Sequence, residues 1–310
     1  MNGAPPTDIN ALVVYCGRKQ WQVCCDGEGR PRWTSDVVGI PEHAVARARL
    51  QHLNRIGVPL DGGLPILFLE PVAFSRAERR ALARSCIRVL EELGEVGPMR
   101  FESEAVMALR AVGRDSGVAL RVGRDSCSVA AVREGVVLEH TAQLSPLGSC
   151  SVRHPDVLEV LFRPSLVLGW KTTVAWEVQR LLWLGRKNAF AECPFGGMPK
   201  DLVRMLARHL CVAYPGVDTL MADCLAAVQH GELRRRMRAS VVLYGDNSMH
   251  EGLAARLCRQ SVKCAILAVE EREHLAIAGA AAVVMEETDN WITPEEFANR
   301  GLGALARLDH

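Results

Sequence analysis

The chain carries the same short pattern twice, once in each half. Residues 13–29 read VVYCGRKQWQVCCDGEG and residues 119–135 read ALRVGRDSCSVAAVREG. In both, an apolar run meets a Gly-Arg turn, at Gly17 and at Gly123, and a second short strand and an acidic-Gly turn follow. This arrangement is typical of a β-hairpin. One hairpin in each half predicts two similar lobes, each directing its loop toward a shared cleft.

Glycine loops of this kind are suited to phosphate groups. Their backbone N–H groups can cradle an anion, and glycine is needed where the backbone must come close to it. Phosphate chemistry with magnesium also needs a carboxylate near the metal. Tyr15 and Arg121 stand where that carboxylate is expected. The pattern therefore predicts two phosphate-type loops that have lost their metal-binding side chains.

Composition excludes several classes of partner. The 310 residues carry 37 basic and 36 acidic side chains and a net charge of +1, so no overall field favours nucleic acid or an anionic membrane. No apolar run approaches the ~20 residues of a membrane span, and MNGAPPTDIN lacks the features of a secretory signal. The 11 cysteines show no zinc-ligand spacing and indicate reduced thiols. We expect an intracellular protein without a metal site.

Helical and strand patterns alternate along the chain, as in an α/β protein. Residues 75–94 predict a helix with a continuous apolar stripe, and residues 64–71, LPILFLEP, predict a buried parallel strand before it. Residues 101–117 are interpreted as another helix. Residues 151–216 are interrupted by proline and glycine and are interpreted as a small insert on the second lobe.

The order of these segments resembles the actin and actin-related proteins over nearly the whole chain. The segments that carry the resemblance are ALVVYCGRK at the first loop, PILFLEP with the helix after it, ALRAVGRDSG at the inter-lobe hinge, GVALRVGRDSCSVAAVREGVVLEH at the second loop, VVLYGDNSMHEGLAARL at the adenosine site, and Trp291-Ile292-Thr293 near the end. The resemblance implies an α/β, actin-like two-lobed fold of duplicated ribonuclease-H-like lobes. It implies a first lobe at 1–111, a second at 112–276 with a shortened insert at 151–216, and a return to the first lobe at 277–310.

A deletion sets this chain apart from actins. Between Gly39 and Pro65 only one helix-like segment, EHAVARARLQHLNRI, stands where actins have that helix and a whole subdomain. In actins the missing subdomain carries the loop that contacts the next subunit of a filament. The small subdomain of the first lobe is therefore expected to be largely deleted, and the protein is expected not to form a homopolymer.

Substitutions affect every class of nucleotide contact that the resemblance implies. Tyr15 and Arg18 replace an aspartate and a serine of the first loop, and Arg121 replaces the aspartate that faces the metal in the second. Glu104 corresponds to the glutamine that orients the attacking water. The degenerate positions are Tyr15, Gly17, Arg18, Glu104, Arg121, Gly123, Arg124, Gly245 and Asp246. Several mismatched charges, each costing on the order of a few kcal/mol, would abolish nucleotide binding, so no cofactor is expected.

The charged replacements allow two further interpretations. Arg18, Lys19, Arg121 and Arg124 could bind a phosphorylated ligand without metal, because guanidinium groups suit phosphate. Alternatively, the arginines pair with Glu104, Asp125 and Asp246 and fill the old cleft with the protein's own side chains. A general-base role for Glu104 is the weakest option, since nothing nearby would supply a substrate.

The resemblance and the lost contacts together predict a non-catalytic actin-related structural subunit of a larger assembly. Cytoskeletal, motor or axonemal complexes in the cytoplasm are favoured; a nuclear chromatin-remodelling or acetyltransferase complex and a working ATPase of the actin superfamily are the alternatives. The partners would be other protein subunits, with no nucleic acid and no membrane. In the family, amphipathic helices dock in an inter-lobe groove whose hinge wall corresponds to Arg110, Val112 and Gly113. The tryptophan-bearing insert at 151–216 is the other expected partner surface.

Overall fold

The computed structural model shows an α/β protein with two mixed β-sheets. Unit 1 comprises residues 1–114 and 274–310, and unit 2 comprises residues 115–273, whereas the sequence predicts boundaries after residues 111 and 276. The structure describes residues 10–17, 21–25, 27–35, 45–60, 63–72, 74, 76–94, 97–123, 126–145, 217–249, 253–260, 264–286, 291–300 and 303–304. The insert expected at 151–216, like Arg18, Arg124 and Asp125, lies outside these residues.

The described elements are eleven strands and eight α-helices, together with short 3-10 turns. The strands are β1 (Leu12–Cys16), β2 (Trp21–Cys25), β3 (Trp33–Ser35), β4 (Ile66–Glu70), β5 (Met99–Ser103), β6 (Gly117–Val122), β7 (Cys127–Arg133), β8 (Val136–Val137), β9 (Gln143–Ser145), β10 (Val241–Tyr244) and β11 (Ile266–Leu267). The helices are α1 (Val45–Arg55), α2 (Arg76–Leu93), α3 (Glu104–Arg110), α4 (Val217–Ala227), α5 (Gly231–Arg238), α6 (Leu253–Gln260), α7 (Leu275–Glu286) and α8 (Pro294–Arg300).

The two sheets share one topology. In unit 1 the strand order is β3-β2-β1-β4-β5, with β1 to β3 antiparallel and β4 and β5 parallel to β1. In unit 2 the order β8-β7-β6-β10-β11 repeats the same relationships, and β9 adds a further antiparallel pairing to β7. Both predicted hairpins are confirmed. Their registers also correspond, because Val14 lies opposite Val23 and Leu120 lies opposite Val129.

Each sheet presents the hairpin loop at the carboxyl end of its parallel strands. In unit 1, Gly17 follows β1, and Pro71 follows the parallel strand β4. In unit 2, Gly123 follows β6, and Gly245 follows the parallel strand β10. Open α/β sheets bind ligands outside the carboxyl ends of their strands. These two edges are therefore the places to examine for function.

The core of unit 1 confirms two sequence predictions. Strand β4 is buried along its whole length, as expected for a parallel strand covered on both faces. Helix α2 directs its apolar stripe, including Cys86 and Leu90, into a cluster that also contains Leu50 and Leu53 of α1. The predicted helices at 75–94 and around residues 42–56 thus correspond to α2 and α1.

The prediction of a single helix over residues 101–117 is wrong at both ends, because α3 comprises only Glu104–Arg110 and Gly117 begins β6. Residues up to Ser103 form β5, where Phe101 stacks on Phe68 of β4 with ring centroids 5.0 Å apart. Ser103 then caps α3 by accepting a hydrogen bond from the Ala105 amide at 3.3 Å. Burial against a neighbouring strand overrides the local helical pattern, because aromatic residues fit a half-buried sheet surface well.

Helices α3 and α7 pack closely within unit 1. A Cβ atom added at Gly279 of α7 would overlap the carbonyl oxygen of Met107 in α3. Glycine is therefore required at Gly279 for close approach of the two helix backbones. The contact fixes α3, whose first residue is Glu104, at the carboxyl edge of the sheet.

In unit 2, helix α4 packs on β7, and helix α5 leads into β10. Arg234 of α5 donates hydrogen bonds to the carbonyl oxygen of Val228 at 2.6 and 3.0 Å and to that of Ala226 at 3.2 Å, which closes the end of α4. Arg235 is exposed and pairs with Glu232. Across the described residues, none of the helices combines the length and the apolar character needed to cross a membrane.

Candidate functional site

Arg121 occupies the carboxyl edge of the sheet in unit 2. It lies on β6 directly opposite Ser128 of β7 and Tyr244 of β10, and only 8% of its surface is exposed. Its guanidinium donates to the carbonyl oxygen of Ser126 at 3.4 Å and approaches the Ser126 hydroxyl at 3.3 Å. These contacts attach the side chain to the loop of its own hairpin.

The Arg121 side chain fills the room beside two glycines that the sequence singles out. A Cβ atom added at Gly123 would lie 2.5 to 2.6 Å from the guanidinium atoms of Arg121. At Gly245, whose φ is +99°, a Cβ atom would lie 2.9 Å from the Val122 carbonyl oxygen and 3.2 Å from Arg121 Cγ. The structure thus brings Arg121, Gly123 and Gly245 together, as the resemblance implies, but with an arginine side chain against the glycines.

Backbone groups at this edge are bound by the protein itself. The Gly123 amide donates to the Ser126 carbonyl at 3.0 Å, and the Asn247 side-chain amide donates to the Gly123 carbonyl at 2.7 Å. The Gly245 amide donates to the Arg272 carbonyl at 2.9 Å. A phosphate loop offers its N–H groups to an anion. Here the amides of Gly123 and Gly245 are already used within the fold.

Acidic groups lie beside the Gly245 turn. Asp246 and Glu273, both in unit 2, bring carboxylate oxygens within 4.8 Å of one another. Two carboxylates at this distance repel an anionic ligand, and hard divalent cations accept such oxygen donors. These two carboxylates therefore add negative charge beside the Gly245 turn.

A second arginine holds the corresponding loop of unit 1. Arg49 of α1 is 2% exposed and donates to the carbonyl oxygen of Gly17 at 3.0 Å. Its guanidinium carbon lies 5.9 Å from the centroid of the Trp21 ring, within cation–π range. The half-buried Tyr15 lies on β1, opposite Gln22. Each unit thus uses one buried arginine to bind a carbonyl group of its hairpin loop.

Glu104 is part of the structure of unit 1. It is the first residue of α3, is 1% exposed, and accepts a hydrogen bond from the Val72 amide at 3.2 Å. The helix N-terminus favours a negative charge at this position. Glu104 therefore ties the chain that follows β4 to the start of α3.

Glu70 was not singled out by the sequence, although it ends the apolar strand β4. It is 5% exposed, and its Oε2 lies 3.9 Å from Nε of Arg79. The pKa of Glu70 is raised to about 8, mainly because burial disfavours the charged form; Arg79 lowers the pKa, and Glu102 contributes to raising it. A charged residue ending an otherwise apolar buried strand is the sequence signal that could have identified it.

The residues predicted to form the partner groove lie at the end of α3. Arg110 and Val112 are half-buried, and Gly113 is exposed with φ +68°. The Gly113 amide donates to the Arg110 carbonyl at 2.9 Å, and the Arg114 amide donates to the Leu109 carbonyl at 3.0 Å. Gly113 therefore ends the helix in the left-handed conformation typical of a C-terminal cap. These hydrogen bonds fix the end of α3 within unit 1.

A search of protein-family models found no match to the chain.

Proposed function

We propose that the protein is a non-catalytic actin-related subunit of a larger protein assembly, with a structural role and no bound nucleotide. The observation that carries the proposal is the position of Arg121, whose guanidinium lies against Gly123 where a phosphate loop would receive its ligand. The buried Arg49 on the Gly17 carbonyl gives the same support from unit 1. These loops are held by the protein's own side chains, and none of Tyr15, Arg49 and Arg121 supplies a carboxylate for magnesium.

The topology supports an actin-like fold. Each sheet has a three-stranded antiparallel meander followed by two parallel strands, and the two hairpins have corresponding registers. A duplicated unit of this kind is what two ribonuclease-H-like lobes require. In this interpretation the first lobe has lost most of its small subdomain, because residues 36–65, which include α1, are all that separates β3 from β4.

A structural subunit needs partner proteins, and the end of α3 is the proposed place to bind one. A partner helix would set its apolar residues against Val112, while Arg110 requires an acidic residue beside that stripe. Cytoskeletal, motor or axonemal complexes in the cytoplasm are the favoured setting. Nuclear chromatin-remodelling or acetyltransferase complexes are the alternative.

Thermal denaturation of the purified full chain tests the central claim. We expect the same melting temperature in buffer, in millimolar magnesium, in millimolar ATP and in both together. A ligand present at 100 times its dissociation constant stabilises the folded state by about 2.7 kcal/mol, which raises the melting temperature by several degrees. A rise only with magnesium and ATP together would contradict the proposal. A rise with magnesium alone would indicate cation binding, with Asp246 and Glu273 as the first candidates.

The ligand content of freshly isolated protein provides an independent readout. Mass spectrometry of the small molecules released on denaturation should find no stoichiometric nucleotide. Stoichiometric ATP or ADP would favour the alternative of a working ATPase. A different phosphorylated compound would favour metal-free phosphate binding by the arginines.

A further inference from the structure

Glu70 is a buried acid that the proposed function does not use. It lies at the carboxyl end of β4 in unit 1 and is 5% exposed. Oε2 is 3.9 Å from Nε of Arg79, and Oε1 is buried without a hydrogen-bond partner among the described residues. An ionised carboxylate in this position would lack the hydrogen bonds that make burial of a charge tolerable.

The chain around Glu70 explains why nearby donors are engaged elsewhere. The next residue is Pro71, which has no backbone N–H group. The Val72 amide donates to Glu104 at 3.2 Å, and Nε of Arg79 donates to the Phe74 carbonyl at 3.4 Å. Stabilising a charge at Glu70 would therefore require some of these contacts to rearrange, or water to enter.

Every element packed around the carboxyl group contributes to its electrostatic surroundings. The titratable and charged groups concerned are Arg79 and Cys86 of α2, Glu102 of β5, Cys16 of β1 and Glu104 of α3. Two arginines act on members of this set: Arg100 pairs with Glu102, and Arg49 of α1 interacts electrostatically with Cys16. Burial raises the pKa of both thiols, which keeps them neutral near physiological pH. Helix α7, which contacts β1 and β4, presents apolar residues over 275–284. Arg79 pairs with Glu70 and lowers its pKa, whereas Glu102 raises it.

We propose that Glu70 and Arg79 form a proton-operated latch between the end of β4 and the start of α2. With its proton, the Glu70 carboxyl is neutral and the present packing is maintained. Loss of the proton creates a buried carboxylate whose Oε1 has no hydrogen-bond partner among the described residues. To supply a donor, Arg79 must leave the Phe74 carbonyl or water must enter, and either change opens the connection between β4 and α2. This step is one proton leaving Glu70 for water, with no other covalent bond made or broken.

The direction of the pH effect follows from the raised pKa. The folded pKa of about 8 exceeds the value of about 4.3 typical of an unfolded chain, so the folded state binds the proton more tightly. The stabilisation is complete below the unfolded pKa and is lost progressively as the pH rises to about 8. The latch therefore responds within the range of intracellular pH.

Denaturant unfolding of the full chain at pH 6, 7, 8 and 9 tests the latch. For the wild type, the contribution of Glu70 should lower the folding equilibrium constant on the order of 50-fold between pH 6 and 8. Glu70→Gln, which mimics the neutral acid, should lack this component. Glu78→Gln, which removes an exposed carboxylate from the first turn of α2, should keep the wild-type profile. Parallel profiles for the wild type and Glu70→Gln would overturn the proposal.

Amide hydrogen exchange distinguishes a local opening at α2 from a change in the stability of the whole protein. In the wild type, exchange of peptides covering α2 should increase between pH 7 and 9 beyond the intrinsic pH effect, whereas peptides from α4 in unit 2 should not change. In Glu70→Gln both should stay constant. Equal behaviour of the α2 and α4 peptides in the wild type would exclude a local opening.

Infrared spectroscopy of the wild type needs no variant, and therefore decides the question even if Glu70→Gln fails to fold. The carbonyl stretch of a protonated carboxylic acid should be present at pH 7 and absent at pH 9.5. If no such band is found at pH 7, Glu70 is ionised in the folded protein and the latch does not exist.

Discussion

The guanidinium carbon of Arg121 lies 2.5 Å from the position that a Cβ atom would occupy at Gly123. Arg121 donates to the Ser126 hydroxyl in the same hairpin, and its Cγ approaches Gly245 on the neighbouring turn. The space next to these glycines is thus used by a side chain of the protein. The loop at Gly123 and the Arg121 side chain are therefore packed against each other.

Mutation of this pair should reveal their coupling. Gly123→Ala should destabilise the wild type by about 1–2 kcal/mol, because the new methyl group displaces the Arg121 guanidinium. In the Arg121→Ala background the same change should cost less, since the guanidinium is absent. Urea unfolding of the wild type, the two single variants and the double variant gives the interaction energy between the two positions, expected at about 0.5–3 kcal/mol for residues in contact. Additive effects would mean that Arg121 does not pack on Gly123.

Arg49 offers a test of the corresponding loop in unit 1. Arg49→Met should lower the free energy of unfolding by about 1–3 kcal/mol, because the carbonyl of Gly17 loses its charged donor. Arg47→Met on the same helix is the matched control: Arg47 is exposed and pairs with Glu92, an interaction worth about 0–1 kcal/mol. Chemical denaturation compares the two variants. Equal effects would show that the buried arginine is not needed to hold the loop.

The contact between α3 and α7 makes Gly279 sensitive to substitution. Gly279→Ala should destabilise unit 1 by about 2 kcal/mol or more, because its methyl group would overlap the Met107 carbonyl and force the helices apart. Gly231→Ala is the control, since a Cβ atom there meets nothing within 4 Å and alanine favours the first turn of α5. Thermal melting should show a clear loss for the first variant and no loss for the second. Similar melting temperatures would contradict the close packing.

Charge reversal at the end of α3 tests the proposed partner surface. Arg110→Glu should release the protein from its native assembly, because the expected partner helix carries an acidic residue facing Arg110. Arg114→Glu, on an exposed residue in the same segment, is the matched control and should leave the assembly intact. The measurement is the amount of each tagged variant that sediments with the assembly in a native gradient. If Arg110→Glu sediments like the wild type, the partner binds elsewhere, and the insert at 151–216 becomes the next candidate.

Purified protein should not form actin-like filaments under polymerising salt conditions. A head-to-tail filament needs complementary contacts on both ends of every subunit, and the expected loss of the small subdomain removes one of them. High-speed sedimentation should leave the protein in the supernatant at all concentrations, and negative-stain images should show single particles. A concentration-dependent pellet containing regular filaments would refute this prediction.

The sequence determined the elements whose signals are local. The apolar runs and the turn residues at Gly17 and Gly123 were enough to predict both hairpins. The apolar stripe was enough to predict a helix at 75–94, which the structure gives as Arg76–Leu93. These predictions succeed because periodicity and turn chemistry act between residues that are close in the chain.

Tertiary structure decided the features that depend on which distant segments of the chain become neighbours. Residues 99–103 form a strand since Phe101 stacks on Phe68 of β4. Arg121 meets Gly245 because β10 pairs with β6, although many residues separate them in the chain. The raised pKa of Glu70 likewise comes from burial at a sheet edge built from β1, β4 and β5. Sequence patterns identify which groups are present, but desolvation and side-chain contacts are set only when the strands assemble.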